Sequence, residues 1–327
     1  MTTYSDERII EAGDDMKCAI DVDQTFLTIQ AMLGQEKKCY KIPDYLQGVP
    51  LLNEFDQKTV DQEIRLMVAH WTLQLAEACD YGVETSCLAM SCLDRFLSTM
   101  EGYMVILNPH EFQKAALTSL YIAVKMNEFE VLGPQNIALL SRGQHTAEDV
   151  EEMELFILKS LNWRVNPPTA LSFVRLYLQL VPNLNKKYLD MLMEVAESQI
   201  KQSILDYDLC RTSTSKIAFA SMMNAIAIVY GDKKLCTTMR KLIGAVTDID
   251  FRSLKTLQRE LFEAIPIEDL ESFNQSDEEE KKEEELGFDQ SVEFDQTGSH
   301  KPETFSDSPR EVYKNNCRPI MVRTVTT

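Results

Sequence analysis

The stretch Thr146–Pro168, TAEDVEEMELFILKSLNWRVNPP, decides the fold class. Thr146 offers an N-cap hydroxyl, and Val150, Met153, Phe156, Ile157, Leu158 and Leu161 recur at helical spacing, which predicts a helix with one apolar face. Pro167-Pro168 ends it, because proline lacks a backbone donor and biases the residue before it away from the α region. Reading backwards, Gly133-Pro134 opens a short helix closed at Gly143. Asn108-Pro109 places an N-cap before a proline at the first helical position of a helix running to about Asn127. Glu84–Ser98 reads as another helix. Before it, Thr59 and Gln62 have the spacing of a capping box for a helix that Tyr81-Gly82 stops. Residues 59–163 therefore form a five-helix unit.

Reading forwards, the rhythm repeats in Thr169–Val181, Asn185–Leu205, Ser213–Tyr230, Lys234–Thr247 and Asp250–Ile265, a second set of about five helices over residues 164–265. Thr25–Cys39 carries Phe26, Ile29, Met32 and Leu33 on one face. It is expected to dock, with its linker to residue 58, on the unit that follows. Residues 1–24 show no packing period, and from residue 266 onward the chain is polar and acidic, so both ends are expected to be disordered. No strand pattern competes. The fold class is all-α: two tandem five-helix bundles with an N-terminal helix and a disordered acidic C-terminal tail.

Composition narrows the function classes. The 327 residues are 44% hydrophobic and carry a formal charge of −19. Residues 266–295 hold 13 acidic side chains against two lysines, so the rest of the chain is only mildly acidic. Nucleic acid and anionic membrane are disfavoured as partners, because both call for a basic surface. The eight cysteines form no C-x-x-C pair and the four histidines make no metal spacing with them, which points to free thiols and no metal. The N-terminus lacks the order of a signal peptide. The longest apolar run, Ile217–Tyr230, is too short to span a membrane and reads as a buried core helix. There is no Gly-rich phosphate loop, no G-x-S-x-G and no kinase signature set, so neither catalysis nor a cofactor is expected.

Four motifs in order, Ile64–Trp71 (IRLMVAHW), Leu93–Ser98 (LDRFLS), Ala123–Glu128 (AVKMNE) and Met153–Asn162 (MELFILKSLN), resemble the cyclin box in spacing and helix placement. The resemblance covers about residues 25–265 and is strongest over the first bundle. There is some likeness to D-type and other G1 cyclins around Lys125-Met126 and Asn166–Phe173. It implies a non-catalytic regulatory subunit that binds and activates a cyclin-dependent Ser/Thr kinase in cell-cycle control. The alternative is a cyclin-fold scaffold or transcription-factor-like adaptor without kinase activation, since fold alone does not fix function.

The resemblance also assigns residues. Lys125 and Glu154 would hold the backbone of the kinase's mobile C-helix, with Ile122, Met126, Leu158 and Trp163 supplying apolar contact; core packing is the competing reading for those four. Lys125 follows YIAV and Glu154 lies among Met153, Leu155 and Phe156, so both charges border apolar faces and need a partner. Arg65 and Asp94 correspond to an internal ion pair of structural role. Ile64, Met67, Val68 and Trp71, with Gln113, correspond to an exposed patch that takes Arg-x-Leu-type docking segments of substrates and inhibitors. A stripe at helical spacing is more often core. The sequence departs from the family's pattern around that patch: Gln74 stands where an acidic residue is usual, His70 replaces an Asp, Lys114 replaces a Leu, and the loop Met100–Glu111 is long.

The tail resembles a PEST stretch, and Ser308-Pro309-Arg310 suits proline-directed phosphorylation and recognition by a ubiquitin ligase. A merely solubilising tail is the equal alternative. The chain is expected in nucleus and cytoplasm, with import alongside the kinase because no strong basic localisation cluster is present.

Overall fold

The computed structural model describes residues 22–54, 58–181, 184–229, 233–244, 247 and 251–263. Among them lie thirteen α-helices and a single isolated bridge, Leu52 to Lys58. After α1 (Val22–Cys39), the first repeat comprises α2 (Gln62–Ala78), α3 (Val83–Leu97), α4 (Met100–Ile106), α5 (Pro109–Asn127), α6 (Pro134–Leu139) and α7 (Ala147–Ser160). The second comprises α8 (Ala170–Gln179), α9 (Lys186–Leu205), α10 (Tyr207–Cys210), α11 (Thr214–Val229), α12 (Lys233–Gly244) and α13 (Phe251–Glu263). Of the ends expected to be disordered, residues 1–24 and 266–327, residues 22–24 instead form the first turn of α1, and the rest, Ser308 included, lie outside the described residues.

Side-chain caps set most of the boundaries. Asn108 accepts from the backbone N–H of His110 and Glu111 with Pro109 at the first helical position, Thr146 and Asp149 form a reciprocal capping box, and Thr169 and Asn185 cap α8 and α9. One cap differs from expectation: α2 is capped by Asp61, whose carboxylate accepts from Ile64 N–H. Thr59 is unavailable because it is buried, donating its hydroxyl to the Pro50 carbonyl and its N–H to that of Leu51.

Each repeat wraps a buried central helix. In the first it is α5, whose Phe112, Ala115, Leu117, Leu120 and Val124 are enclosed by α2, α3 and α7. In the second it is α11, apolar on nearly every side, as the run from Ile217 implied.

Three features differ from the sequence reading. The expected loop after Thr99 contains α4, where Thr99 caps Gly102 N–H and the helix packs on the end of α3. A four-residue helix, α10, follows the Asp206 cap. Both are too short to show a period. The third is α1, which starts at Val22, where Asp23 favours the helix N-terminus, and packs on the second repeat rather than the one following it. Ile29 enters the core of Phe173, Tyr177 and Phe219. Glu36 accepts from Ser215 N–H at 2.9 Å and from the hydroxyls of Thr214 and Ser215, both at 2.6 Å, so a carboxylate of α1 closes the positive end of α11.

Candidate partner-binding face

The C-terminal end of α5 and the middle of α7 lie side by side and bring Lys125 and Glu154 together. The Lys125 ammonium forms an ion pair with a Glu154 carboxylate oxygen and sits 4.6 Å from the Tyr121 ring centroid. The lysine side chain is 38% exposed and the glutamate 14%. A pair this open to water contributes at most about 1 kcal/mol, so opening it toward another molecule costs little. The end of α5 is itself pinned: the Thr85 hydroxyl donates to Glu128, and Asn127 donates to Thr85 at 2.8 Å. Lys125 thus projects from a fixed helix end tied to the start of α3.

Exposed apolar side chains accompany the pair in sequence: Met126 on α5 is 47% exposed, Leu155 on α7 45%, and Trp163, just past the end of α7, 64%. Leu158 is half-buried, and Phe129, directly after the α5 cap, is fully exposed. Ile122, expected as a contact, is buried inside the first repeat and can act only as support. Leu155 and Phe129 were not singled out by the motifs. The signal for Phe129 was an aromatic isolated between acidic residues.

Trp163 is held by an unusual backbone. Asn162 and Trp163 follow α7 with φ of 52° and 61°, and the Trp163 N–H donates to Leu158 O at 2.8 Å. Asparagine tolerates the left-handed region, whereas a bulky residue there is strained by roughly 1–2 kcal/mol. The result is an indole-bearing residue displayed at the helix end.

Arg65 and Asp94 meet in a bidentate pair, with Nε to Oδ1 at 3.0 Å and Nη2 to Oδ2 at 2.8 Å, almost without solvent access. Tyr45 donates its hydroxyl to Asp94 at 2.7 Å, and Arg65 Nη1 donates to Ile204 O at 2.8 Å at the end of α9. Burial alone would lower the Arg65 pKa, but the adjacent Asp94 charge and its hydrogen bonds hold it above the ordinary value. Burial, and then the Asp94 carboxylate, push the Tyr45 hydroxyl well above its usual range.

The stripe on α2 is not an exposed patch. Ile64 and Val68 pack with Phe96 and Val105, Trp71 packs with Leu117 and Leu120, and Gln113 is buried on α5. Only Met67, 43% exposed, reaches the surface, because the other positions face α3 and α5.

The chain matches the family models for the cyclin N-terminal domain over residues 28–166 and the cyclin C-terminal domain over residues 168–285. It belongs to the cyclin family. It is 30% identical over 199 residues to the G1/S-specific cyclin-E1 of Gallus gallus, a match taking in 61% of this chain but only 46% of that protein. To the G1/S-specific cyclin-D2 of Rattus norvegicus it is 26% identical over 223 residues, 67% of this chain and 75% of the relative. Among solved structures, a viral cyclin from herpesvirus saimiri superposes with a TM-score of 0.56 at 16% identity, covering 73% of this chain and 96% of the other. That superposition supports the tandem-repeat fold. No described helix is long and apolar enough to cross a membrane.

Proposed function

We propose that this cyclin is the regulatory, non-catalytic subunit of a cyclin-dependent Ser/Thr kinase and acts in cell-cycle control by positioning the kinase's C-helix. The observation that supports this most is the juxtaposition of Lys125 and Glu154 on α5 and α7, with Met126 and Leu155 exposed on the same helices and Trp163 exposed in the turn after α7. A cation and an anion at that spacing suit the carbonyl and amide groups at helix ends, and the apolar side chains suit an amphipathic helix face.

Kinase chemistry requires a Lys–Glu pair whose glutamate lies on the C-helix. Binding the inward position of that helix in preference to the outward one shifts the population without any catalytic group on the cyclin. A shift from 1:99 to 99:1 needs about 5.5 kcal/mol of differential affinity, within reach of a standard-sized interface with one aromatic anchor. Substrate recruitment through short docking segments would fall to Met67, the accessible residue of the α2 stripe, with exposed Leu66 next to it in sequence. Phosphorylation at Ser308 with turnover through a ubiquitin ligase, and a nuclear and cytoplasmic location reached with the kinase, belong to the same reading.

Co-purification from cell extract with wild type and Lys125→Ala/Glu154→Ala, followed by a histone kinase assay, tests it. Wild type should recover a proline-directed kinase that the folded double variant does not. Recovery of no kinase by wild type, under conditions that preserve cyclin complexes, would instead support a kinase-free scaffold.

A further inference from the structure

A cavity of about 720 Å³ lies where α1, the Pro167-Pro168 linker and the two repeats meet. Clefts of this size at domain junctions, apolar within and carrying a few placed polar groups, are the usual form of small-molecule sites. Its walls include Leu33, Met90, Ile200 and Ile217, with the Arg65–Asp94 pair at one side. Five basic side chains line it, Lys37, Lys41, Arg65, Arg211 and Lys216, against two carboxylates, Glu36 and Asp94. That balance is the reverse of the chain's formal charge of −19.

The existing partners show which charges are spent. Arg65 is neutralised by Asp94, Glu36 is taken up by the start of α11, and Arg211 pairs with Asp44 and Asp208, each at 3.2 Å. Lys37, Lys41 and Lys216 have no carboxylate partner among the described residues, and all three line the same opening. Three lysines without a carboxylate partner give the cleft a positive charge that an anion would compensate.

We propose that this junction is a binding site for a small amphiphilic organic anion, with a carboxylate, phosphate or sulfate head between Lys37, Lys41 and Lys216 and an apolar body against Leu33, Met90 and Ile217. A purely charged ligand would leave the apolar walls wet, and an uncharged one would leave the lysines uncompensated. Such a ligand touches α1 and both repeats at once and so favours the assembled junction. The site is separate from the Lys125–Glu154 face and does not depend on the function proposed for it.

Gly34 offers a direct control, since it lines the cavity and a Cβ added there meets nothing within 4 Å. Gly34→Leu should direct an isobutyl group into the cavity from a position with room at its Cβ. The test is fluorescence titration of the full chain with 8-anilinonaphthalene-1-sulfonate, a probe with an anionic head and an aromatic body. Wild type should show one saturable site. Gly34→Leu should lose it with no fall in thermal midpoint, and Lys37→Glu/Lys41→Glu/Lys216→Glu should weaken it at least about tenfold, roughly 1.4 kcal/mol. Decanoate should displace the probe at lower concentration than inorganic phosphate does. Undiminished binding to Gly34→Leu would overturn the proposal, as would displacement by phosphate as readily as by decanoate.

Discussion

Trp163 and His145 both occupy positions that cost stability. For Trp163 the cost lies in the backbone, at a φ of 61° with the side chain 64% exposed, so the residue gains little from burial in return. Trp163→Gly removes the strain while adding the chain entropy of glycine, and the two terms nearly cancel. Urea unfolding of that variant should give a stability within about 1 kcal/mol of wild type, whereas kinase recovery should fall more than about tenfold, as for an aromatic interface anchor. A parallel loss of stability would make Trp163 a structural residue. For His145 the cost is electrostatic. It is buried with both ring nitrogens unpartnered and lies 4.3 Å, centroid to centroid, from His110. Burial, then His110 and Lys114, lower its pKa to about 4, outweighing the opposite pull of Asp149 and Glu111. The unfolded chain, with a pKa near 6.5, therefore takes up a proton that the folded chain refuses, and stability falls as pH drops from about 6.5 toward 4. Measured over that range, thermal midpoints of His145→Phe should decline less steeply than those of wild type. The motifs single out Lys125 and Glu154, whose side chains meet, whereas nothing in the sequence points to the left-handed turn at Trp163, because no glycine marks it.

At the scale of elements, the sequence was most informative wherever a cap and a period coincided. Asn108-Pro109 and Thr146 predict the starts of α5 and α7, and these two helices carry the Lys125–Glu154 pair. The α2 stripe shows the limit of the same reasoning. Its spacing is equally that of a core face, and the buried positions of Ile64, Val68 and Trp71 follow the packing rule rather than the resemblance. The short α4 was missed because seven residues give no period, and its decisive residue is a glycine. A Cβ at Gly102 would lie 1.9 Å from the Phe96 carbonyl oxygen and 2.6 Å from the Leu97 Cα, both backbone atoms that cannot step aside. Gly102→Ala should therefore cost on the order of 1–3 kcal/mol, in the range of overpacked cores. Gly34→Ala, in a helix with open space around it, should instead stabilise by about 0.5–1 kcal/mol. Chemical denaturation of the two variants side by side measures the contrast, and equal effects would remove the close packing of α4 on α3 from the account.

Across the whole molecule, the repeats join through apolar contacts, with Ile204 and Tyr207 entering the core of the first, and through polar ties between residues far apart in sequence, so apolar periodicity could predict two bundles but not how they join. Glu84 of α3 accepts from Ser172 of α8 at 2.8 Å and also from Thr169, while Arg65 of α2 reaches the final carbonyls of α9. The docking of α1 on the second repeat was hidden for a related reason: Glu36 meets Ser215 across 179 positions of sequence. Arg65 is the central tie, since one guanidinium satisfies Asp94 within the first repeat and backbone carbonyls of the second. Removing one partner of a buried pair typically costs about 3–5 kcal/mol, because the other charge stays buried. Arg65→Met should pay that cost and also cut the link to α9, whereas Glu84→Gln leaves this tie intact. The chain's two tryptophans, Trp71 and Trp163, both lie in the first repeat, so their fluorescence reports that repeat, while far-ultraviolet circular dichroism reports both. In wild type the urea transitions followed by the two signals should coincide, as expected for one cooperative unit. In Arg65→Met the fluorescence midpoint should move to lower urea and separate from the later part of the dichroism curve, as the second repeat unfolds on its own. Coincident curves at a lower midpoint would mean that Arg65 stabilises the first repeat without coupling it to the second.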